Sequence, residues 1–167
     1  MYILTESEVT TRFSETHCRE LSMFGALSRD SMLFLLHKGR VLQFDQGENL
    51  FTRGEQSDRF YIVMDGKLGY YRYEDQQKIH IRDFHKGEQL GYVGMIGLHE
   101  RKGDAVAEQT SYVLEVSCEL FHQVCDSFSS DFVIFLINMT REMSREITDL
   151  DAICTHLCAV QKINHAV

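Results

Sequence analysis

The apolar positions of this chain change texture twice. From Val41 to Val116 they come in short runs punctuated by glycine turns. Val41, Leu42 and Phe44 lead to Asp45-Gln46-Gly47, and Leu50 and Phe51 lead to Arg53-Gly54-Glu55. Phe60 to Met64 ends at Asp65-Gly66, the strongest hairpin signal in the sequence. Leu68 to Tyr73 follows, then a polar turn from Glu74 to Gln77, then Ile79 and Ile81 alternating with polar neighbours. Lys86-Gly87 turns again, and Tyr112 to Val116 reads as the last strand. About eight short strands at this turn spacing predict a sandwich or barrel.

The flanks have helical texture. Ser28 is placed to cap a helix with Asp30 in its first turn, Met32, Leu33, Leu35 and Leu36 on its buried face, and Gly39 as its stop. Ser117 is placed to cap a helix over 118–128, and Ser130 or Asp131 a longer one. Along that longer helix Phe132, Leu136, Met139, Met143, Ile147, Leu150, Cys154 and Leu157 follow at steps of three or four residues. This is close to a coiled-coil seam with one four-residue stutter, and it predicts a dimer helix. The alternative is a helix folded back on the barrel. The organisation expected is an N-terminal extension over 1–20, loosely helical or partly disordered, a β-roll with flanking helices over 21–128, and a dimerisation helix and tail over 129–167.

Composition narrows the classes. The chain has 167 residues, enough for one domain and an appendage, and 44% of them are apolar. A formal charge of −8 opposes a phosphate backbone, and no lysine- and arginine-rich arm offsets it, so no nucleic-acid partner is expected. No apolar run approaches the length of a spanning helix, and the polar start with Glu6 and Glu8 has no signal pattern. A cytoplasmic protein with no membrane partner is expected. The five cysteines, Cys18, Cys118, Cys125, Cys154 and Cys158, form no C-x-x-C pair and read as reduced, mostly buried thiols. Cys154 and Cys158 share a helix face from which His156 points away, so core packing is expected there and no metal site.

The run Phe51-x-x-Gly54-Glu55-x-x-Asp58-x-x-Tyr61-Ile62-Val63-x-x-Gly66-x-Leu68 resembles the signature of cyclic-nucleotide-binding domains. "MFGALSRDSM" is similar to the N-terminal helical motif of that family, "FHKGEQLGYVGMIG" to the stretch entering its phosphate-binding cassette, and "EVSCELF" to its last strand passing into a helix. The resemblance covers roughly residues 22–150. It implies a mainly β fold with flanking helices, a double-stranded β-helix or jelly roll, plus a long C-terminal helix.

The resemblance also places a site. In the family a glycine and a glutamate open the cassette, the glutamate accepts the ribose 2′-hydroxyl, and an arginine after a short helix neutralises the cyclic phosphate. The matching residues are Gly91, Tyr92, Val93 and Gly94, then Arg101, Lys102 and Gly103, and these are the ligand-binding residues expected. Three positions depart from the pattern: Tyr92 for the glutamate, Glu100 for a proline, and Asp104 for a small hydroxyl residue. Two carboxylates beside one arginine oppose an anion, so Arg101 either holds phosphate or pairs with Glu100 or Asp104. Arg141, Arg145, Thr148 and Asp151 on the long helix are candidates for base selection.

The function implied is a cyclic-nucleotide sensor for cAMP or cGMP, or a similar small anion, acting through its C-terminal helix in a homodimer. The alternative is a degenerate module kept for dimerisation or docking of a protein partner, with another ligand or none. Catalysis is not expected: there is no His-x-His pair for a cupin site, no G-x-S-x-G and no Walker loop, and no cofactor is implied. The few residues beyond Leu157 leave no room for a helix-turn-helix module.

Overall fold

The computed structural model describes residues 1–164; residues 165–167 of the expected C-terminal tail lie outside the described residues. Nine strands are present among the described residues: β1 (Tyr2–Ile3), β2 (Arg40–Phe44), β3 (Asn49–Phe51), β4 (Arg59–Asp65), β5 (Lys67–Glu74), β6 (Gln77–His85), β7 (Gln89–Leu90), β8 (Asp104–Ala107) and β9 (Ser111–Ser117). Six helices accompany them: α1 (Glu6–Arg12), α2 (Glu15–Arg19), α3 (Arg29–Lys38), α4 (Tyr92–Ile96), α5 (Cys118–Ser127) and α6 (Ser129–Asn164). A 3-10 turn spans Ser22–Phe24. The strands form a five-stranded sheet in the order β1-β2-β9-β4-β7 and a four-stranded sheet in the order β3-β8-β5-β6. This is the jelly-roll class expected.

Strand β4 explains the layering. Its side chains alternate between two cores, which is why Phe60 to Met64 reads as a continuous apolar run. Tyr61 and Val63 pack between the sheets with Leu42, Phe44, Phe51, Leu68 and Phe84. Phe60, Ile62 and Met64 face the helices and meet Phe24, Leu35, Phe135 and Met139. The Phe60 ring lies 6.1 Å from both Phe121 and Phe135. Full burial of a ring such as Phe135 is worth about 3 kcal/mol.

The Asp65-Gly66 hairpin is a correction. The two residues do turn the chain, with Gly66 at φ +98°. However, β4 and β5 lie in different sheets and do not pair. The turn is a corner, and a Cβ on Gly66 would stand 2.6 Å from the Ser111 backbone, so glycine is required by space as well as by φ. The hairpin in the roll is β5–β6. Glu74 pairs with Gln77 across a two-residue loop, and both loop residues, Asp75 and Gln76, have positive φ.

Residues 1–20 are folded where a loose or disordered segment was expected. Thr5 and Glu8 form a reciprocal capping box, and Ser14 caps α2. Val9, Phe13 and Cys18 enter the helix-side core. Their spacing is irregular because two short helices, not one, carry them.

Ser28 caps α3 as expected, its hydroxyl accepting from the Ser31 N–H at 3.2 Å. Asp131 does not act as the cap expected of it. It sits in the first turn of α6, and its carboxylate accepts from the backbone N–H (2.9 Å) and hydroxyl (2.6 Å) of Ser28. Helix α6 divides in two. Phe132, Phe135, Asn138 and Met139 pack on the roll, so the first half folds back. Beyond Glu146, Ile147, Leu150, Ile153, Cys154, Leu157 and Cys158 are exposed to solvent. The thiols correct the expectation of burial: Cys118, Cys154 and Cys158 are exposed and Cys125 is half-buried. Cys18 alone is deeply buried, and burial pushes its thiol up to about 11. Among the described residues no helix is long and apolar enough to cross a membrane, and no cluster of histidine, cysteine and acidic side chains could hold a metal ion.

Candidate functional site

A cleft of about 970 Å³ runs between β6, the segment from α4 to Arg101, and the second half of α6. Its wall is mainly apolar, with Ile79 and Ile81 of β6 facing Leu150 and Ile153 of α6.

Arg101 forms the floor. It is 4% exposed, yet it has no carboxylate partner among the described residues. Its Nη1 donates to the Gly91 carbonyl at 2.6 Å and its Nη2 to the Arg59 carbonyl at 2.5 Å. The guanidinium lies 4.4 Å over the Phe51 ring, and Nε is buried with no hydrogen-bond partner. Burial pulls the pKa of this group down against the longer-range pull of Asp58 and Glu55, but an arginine keeps its proton in a protein, so a cation with no carboxylate in contact sits in the cleft floor.

The backbone fixes it there. The Arg101 N–H donates to the Glu55 carbonyl (2.8 Å), and the Gly54 N–H donates to the Arg101 carbonyl (3.0 Å). The Gly54-Glu55 turn of the strand-rich signature is therefore the dock for the cassette arginine. Gly91 has φ +84°, and a Cβ on it would come within 2.6 Å of Nη1.

Neither expected carboxylate pairs with Arg101. Glu100 is exposed. Asp104 accepts from the Arg53 N–H (2.9 Å) and the Tyr73 hydroxyl (2.5 Å) and lies 3.4 Å from Lys78. Burial alone would raise the Asp104 pKa, but these three partners outweigh it and hold it below the usual carboxylate range. Asp104 is thus occupied on the sheet side.

Gly91, Tyr92, Val93, Gly94, Arg101 and Lys102 all line the cleft. Gly103 does not: a Cβ there would run into the Tyr71 carbonyl and come within 2.9 Å of the Tyr70 ring, so this glycine lets two backbones approach. Ser57 joins the site instead. Its hydroxyl is buried without a partner beside Gly94, where a Cβ would collide with it.

Tyr92 is 1% exposed, and its hydroxyl donates to Glu146 Oε2 on α6 at 2.7 Å. Glu146 Oε1 lies 2.9 Å from Arg82 Nη1, and Arg82 also reaches Glu88 at 3.3 Å. Burial, then the Glu146 hydrogen bond, pushes the Tyr92 phenol far up, and burial raises Glu146.

The α6 residues on the cleft are Glu146, Asp149, Leu150 and Ile153, one face at i, i+3, i+4 and i+7. Arg141, Arg145, Thr148 and Asp151 are not among them. Arg145 pairs with Glu142 (2.9 Å), Arg141 donates to Asn138 (3.1 Å), and Thr148 donates to the Ser144 carbonyl (3.0 Å). Sequence reasoning missed Ser57, Arg82 and Glu146. For Glu146 the helical spacing to Leu150 and Ile153 was an available signal, overshadowed by the seam pattern.

The profile of the cyclic nucleotide-binding domain matches residues 41–128. No curated protein matches the chain. Among solved structures, a cyclic nucleotide-binding domain from Methylobacillus flagellatus KT superposes with a TM-score of 0.75 at 16% identity, covering 84% of this chain and 81% of that one. The c-di-GMP-responsive regulator CLP of Xanthomonas campestris gives 0.71 at 19% identity, covering 78% and 65%. The regulatory subunit of a cAMP-independent protein kinase A from Trypanosoma brucei gives 0.66 at 17% identity, covering 87% and 51%. The chain therefore spans about two thirds of the second and half of the third. At these identities the structures establish the shared fold. Together with the profile, which takes in more than half of the sequence, they place this chain in the cyclic nucleotide-binding domain family.

Proposed function

We propose that the protein is a cytoplasmic, non-catalytic regulatory module that binds a cyclic nucleotide such as cAMP or cGMP in the α4–α6 cleft and transmits occupancy through α6. The observation that carries this reading is Arg101. A buried guanidinium with no carboxylate in contact, an unpartnered Nε, and the unpartnered Ser57 hydroxyl in the same cleft form a floor suited to an anionic group. The apolar walls from Ile79, Ile81, Leu150 and Ile153 suit a flat ring. The output path is short. Asn138, on the same helix, donates to the carbonyls of Met23 (3.2 Å) and Gly25 (2.8 Å), tying α6 to the N-terminal helical motif. The exposed seam residues Ile147 and Leu157 give a homodimer its contact face.

One observation favours a second reading, a docking or dimerisation module that takes another ligand or none. The Tyr92–Glu146 bond already draws α6 over the cleft. The Xanthomonas regulator responds to c-di-GMP and the Trypanosoma subunit belongs to a cAMP-independent kinase, so the fold does not dictate cAMP. Calorimetric titration with cAMP, cGMP and c-di-GMP separates the readings. Micromolar binding lost in Arg101→Ala supports the sensor. Absence of heat with all three, from protein freed of carried-over nucleotide, overturns it in favour of the docking module.

A further inference from the structure

We propose that Glu146, on α6, is the acceptor for the ligand's ribose hydroxyl in this pocket, so that ligand and output helix meet at one carboxylate. The proposal rests on the reading of the cleft as a nucleotide pocket. The cassette position that would supply a carboxylate carries Tyr92, whose phenol is buried and donates to Glu146. Glu74, Asp83, Glu88 and Asp149 also line the cleft, but Glu146 is the least exposed of these carboxylates and the one bonded to Tyr92. Its side chain is 17% exposed, enough to be reached from the cleft and little enough to be held still.

The carboxylate is oriented before any ligand arrives. Arg82 Nη1 holds Oε1 at 2.9 Å, and Arg82 is itself fixed by Glu88 and by the Phe84 ring 4.0 Å beneath its guanidinium. Tyr92 holds Oε2 at 2.7 Å. A carboxylate offers about four acceptor positions, and these two bonds fill about half of them, one on each oxygen. The acceptor capacity that remains suits a hydroxyl donor. The surroundings restrict it to a neutral donor, because Arg82 already supplies the one cation the carboxylate needs.

The position of Glu146 gives the contact a consequence. One turn on, Asp149 and Leu150, and two turns on, Ile153, line the same cleft. A ligand hydroxyl on Glu146 takes one of the remaining acceptor positions, beside the Tyr92 phenol, and so bonds directly to α6. Occupancy therefore acts on the helix at the binding residue itself, with no intervening element.

The test is a cycle between protein and ligand. Calorimetry compares cAMP with 2′-deoxy-cAMP on the wild-type protein, Glu146→Gln and Tyr92→Phe. In the wild type, removal of the 2′-hydroxyl weakens binding by roughly tenfold or more, as for a hydrogen bond to a charged acceptor. In Glu146→Gln the two ligands bind within about threefold of each other, because the amide is a weaker acceptor. Tyr92→Phe keeps the carboxylate and its Arg82 partner and so keeps a hydroxyl dependence, while retained binding of 2′-deoxy-cAMP by Glu146→Gln shows that this variant is folded. A hydroxyl dependence that survives unchanged in Glu146→Gln overturns this assignment while leaving the pocket reading intact. If the wild type takes cGMP in place of cAMP, the same cycle is run with cGMP and its 2′-deoxy form, and failure to bind cAMP, cGMP and c-di-GMP overturns both.

Discussion

Gly91 and Arg101 are built for each other: the arginine's Nη1 donates to the Gly91 carbonyl at 2.6 Å, and no methyl group fits on the glycine facing it. Gly91→Ala therefore meets a positive φ and a collision together. The expected cost is about 1–3 kcal/mol, read as a lower urea midpoint, with nucleotide binding weakened because Arg101 must move.

Arg101→Met removes the cation while keeping a long side chain. The Gly91 and Arg59 carbonyls then lose their donors in a buried place, at a cost of about 1–3 kcal/mol for each carbonyl left unsatisfied. Stability and nucleotide binding should both fall. A variant as stable as the wild type would mean that those carbonyls find other partners.

Two carboxylates of α6 titrate with opposite sign. Asp131 is held below the ordinary aspartate range, since its bonds to Ser28 outweigh the effect of burial. Its stabilisation is present above the unfolded pKa and is lost as the pH falls through the folded one. Glu146 is raised, chiefly by burial and also by nearby Glu142 and Glu88, against the pull of Tyr92 and Arg82. Its contribution is full below the unfolded glutamate pKa and declines as the pH rises through the folded value. Stability measured against pH should lose part of its acid-side fall in Asp131→Asn, and part of its decline above the glutamate range in Glu146→Gln. At neutral pH, Asp131→Asn should cost about 1 kcal/mol through the weakened anchoring of the α3 cap.

The proposed homodimer is tested best by residues that serve nothing else. Met143 packs against the helix-side core and Leu150 lines the cleft, so substitutions there confuse three effects. Ile147 and Leu157 are exposed and lie on the seam. Ile147→Asp with Leu157→Asp should halve the mass in light scattering while the thermal midpoint of the roll holds. An unchanged mass would remove α6 as the interface.

The fold was legible because its signals are local. Glycine turns and the alternation of β4 need no knowledge of distant partners, and Ser28 and Ser117 announce their helices by chemistry at one position. What failed was non-local. Asp65-Gly66 has the chemistry of a hairpin and the geometry of a corner, because Ser111 fills the space beside it. Tyr92 was legible as a departure, but its partner lies more than fifty residues away on a helix whose phase the sequence leaves open. Arg101 lies on the cleft, and its hydrogen-bond partners are main-chain carbonyls, which carry no residue signature.

The corner at Gly66 also bears on how the chain reaches this state. Strand β4 finds its main partner in β9, as Phe60 with Val116, and β2 pairs with the same strand through Val41 and Leu114. The five-stranded sheet thus lacks its central strand until residues near Ser111 have been made, while β5–β6 closes at once through its two-residue loop. A topology so rich in distant pairings belongs with folds of high relative contact order, which fold in about milliseconds to seconds. The hairpin needs only residues already made when its loop emerges, whereas β2 and β4 lack their shared partner until β9 is made.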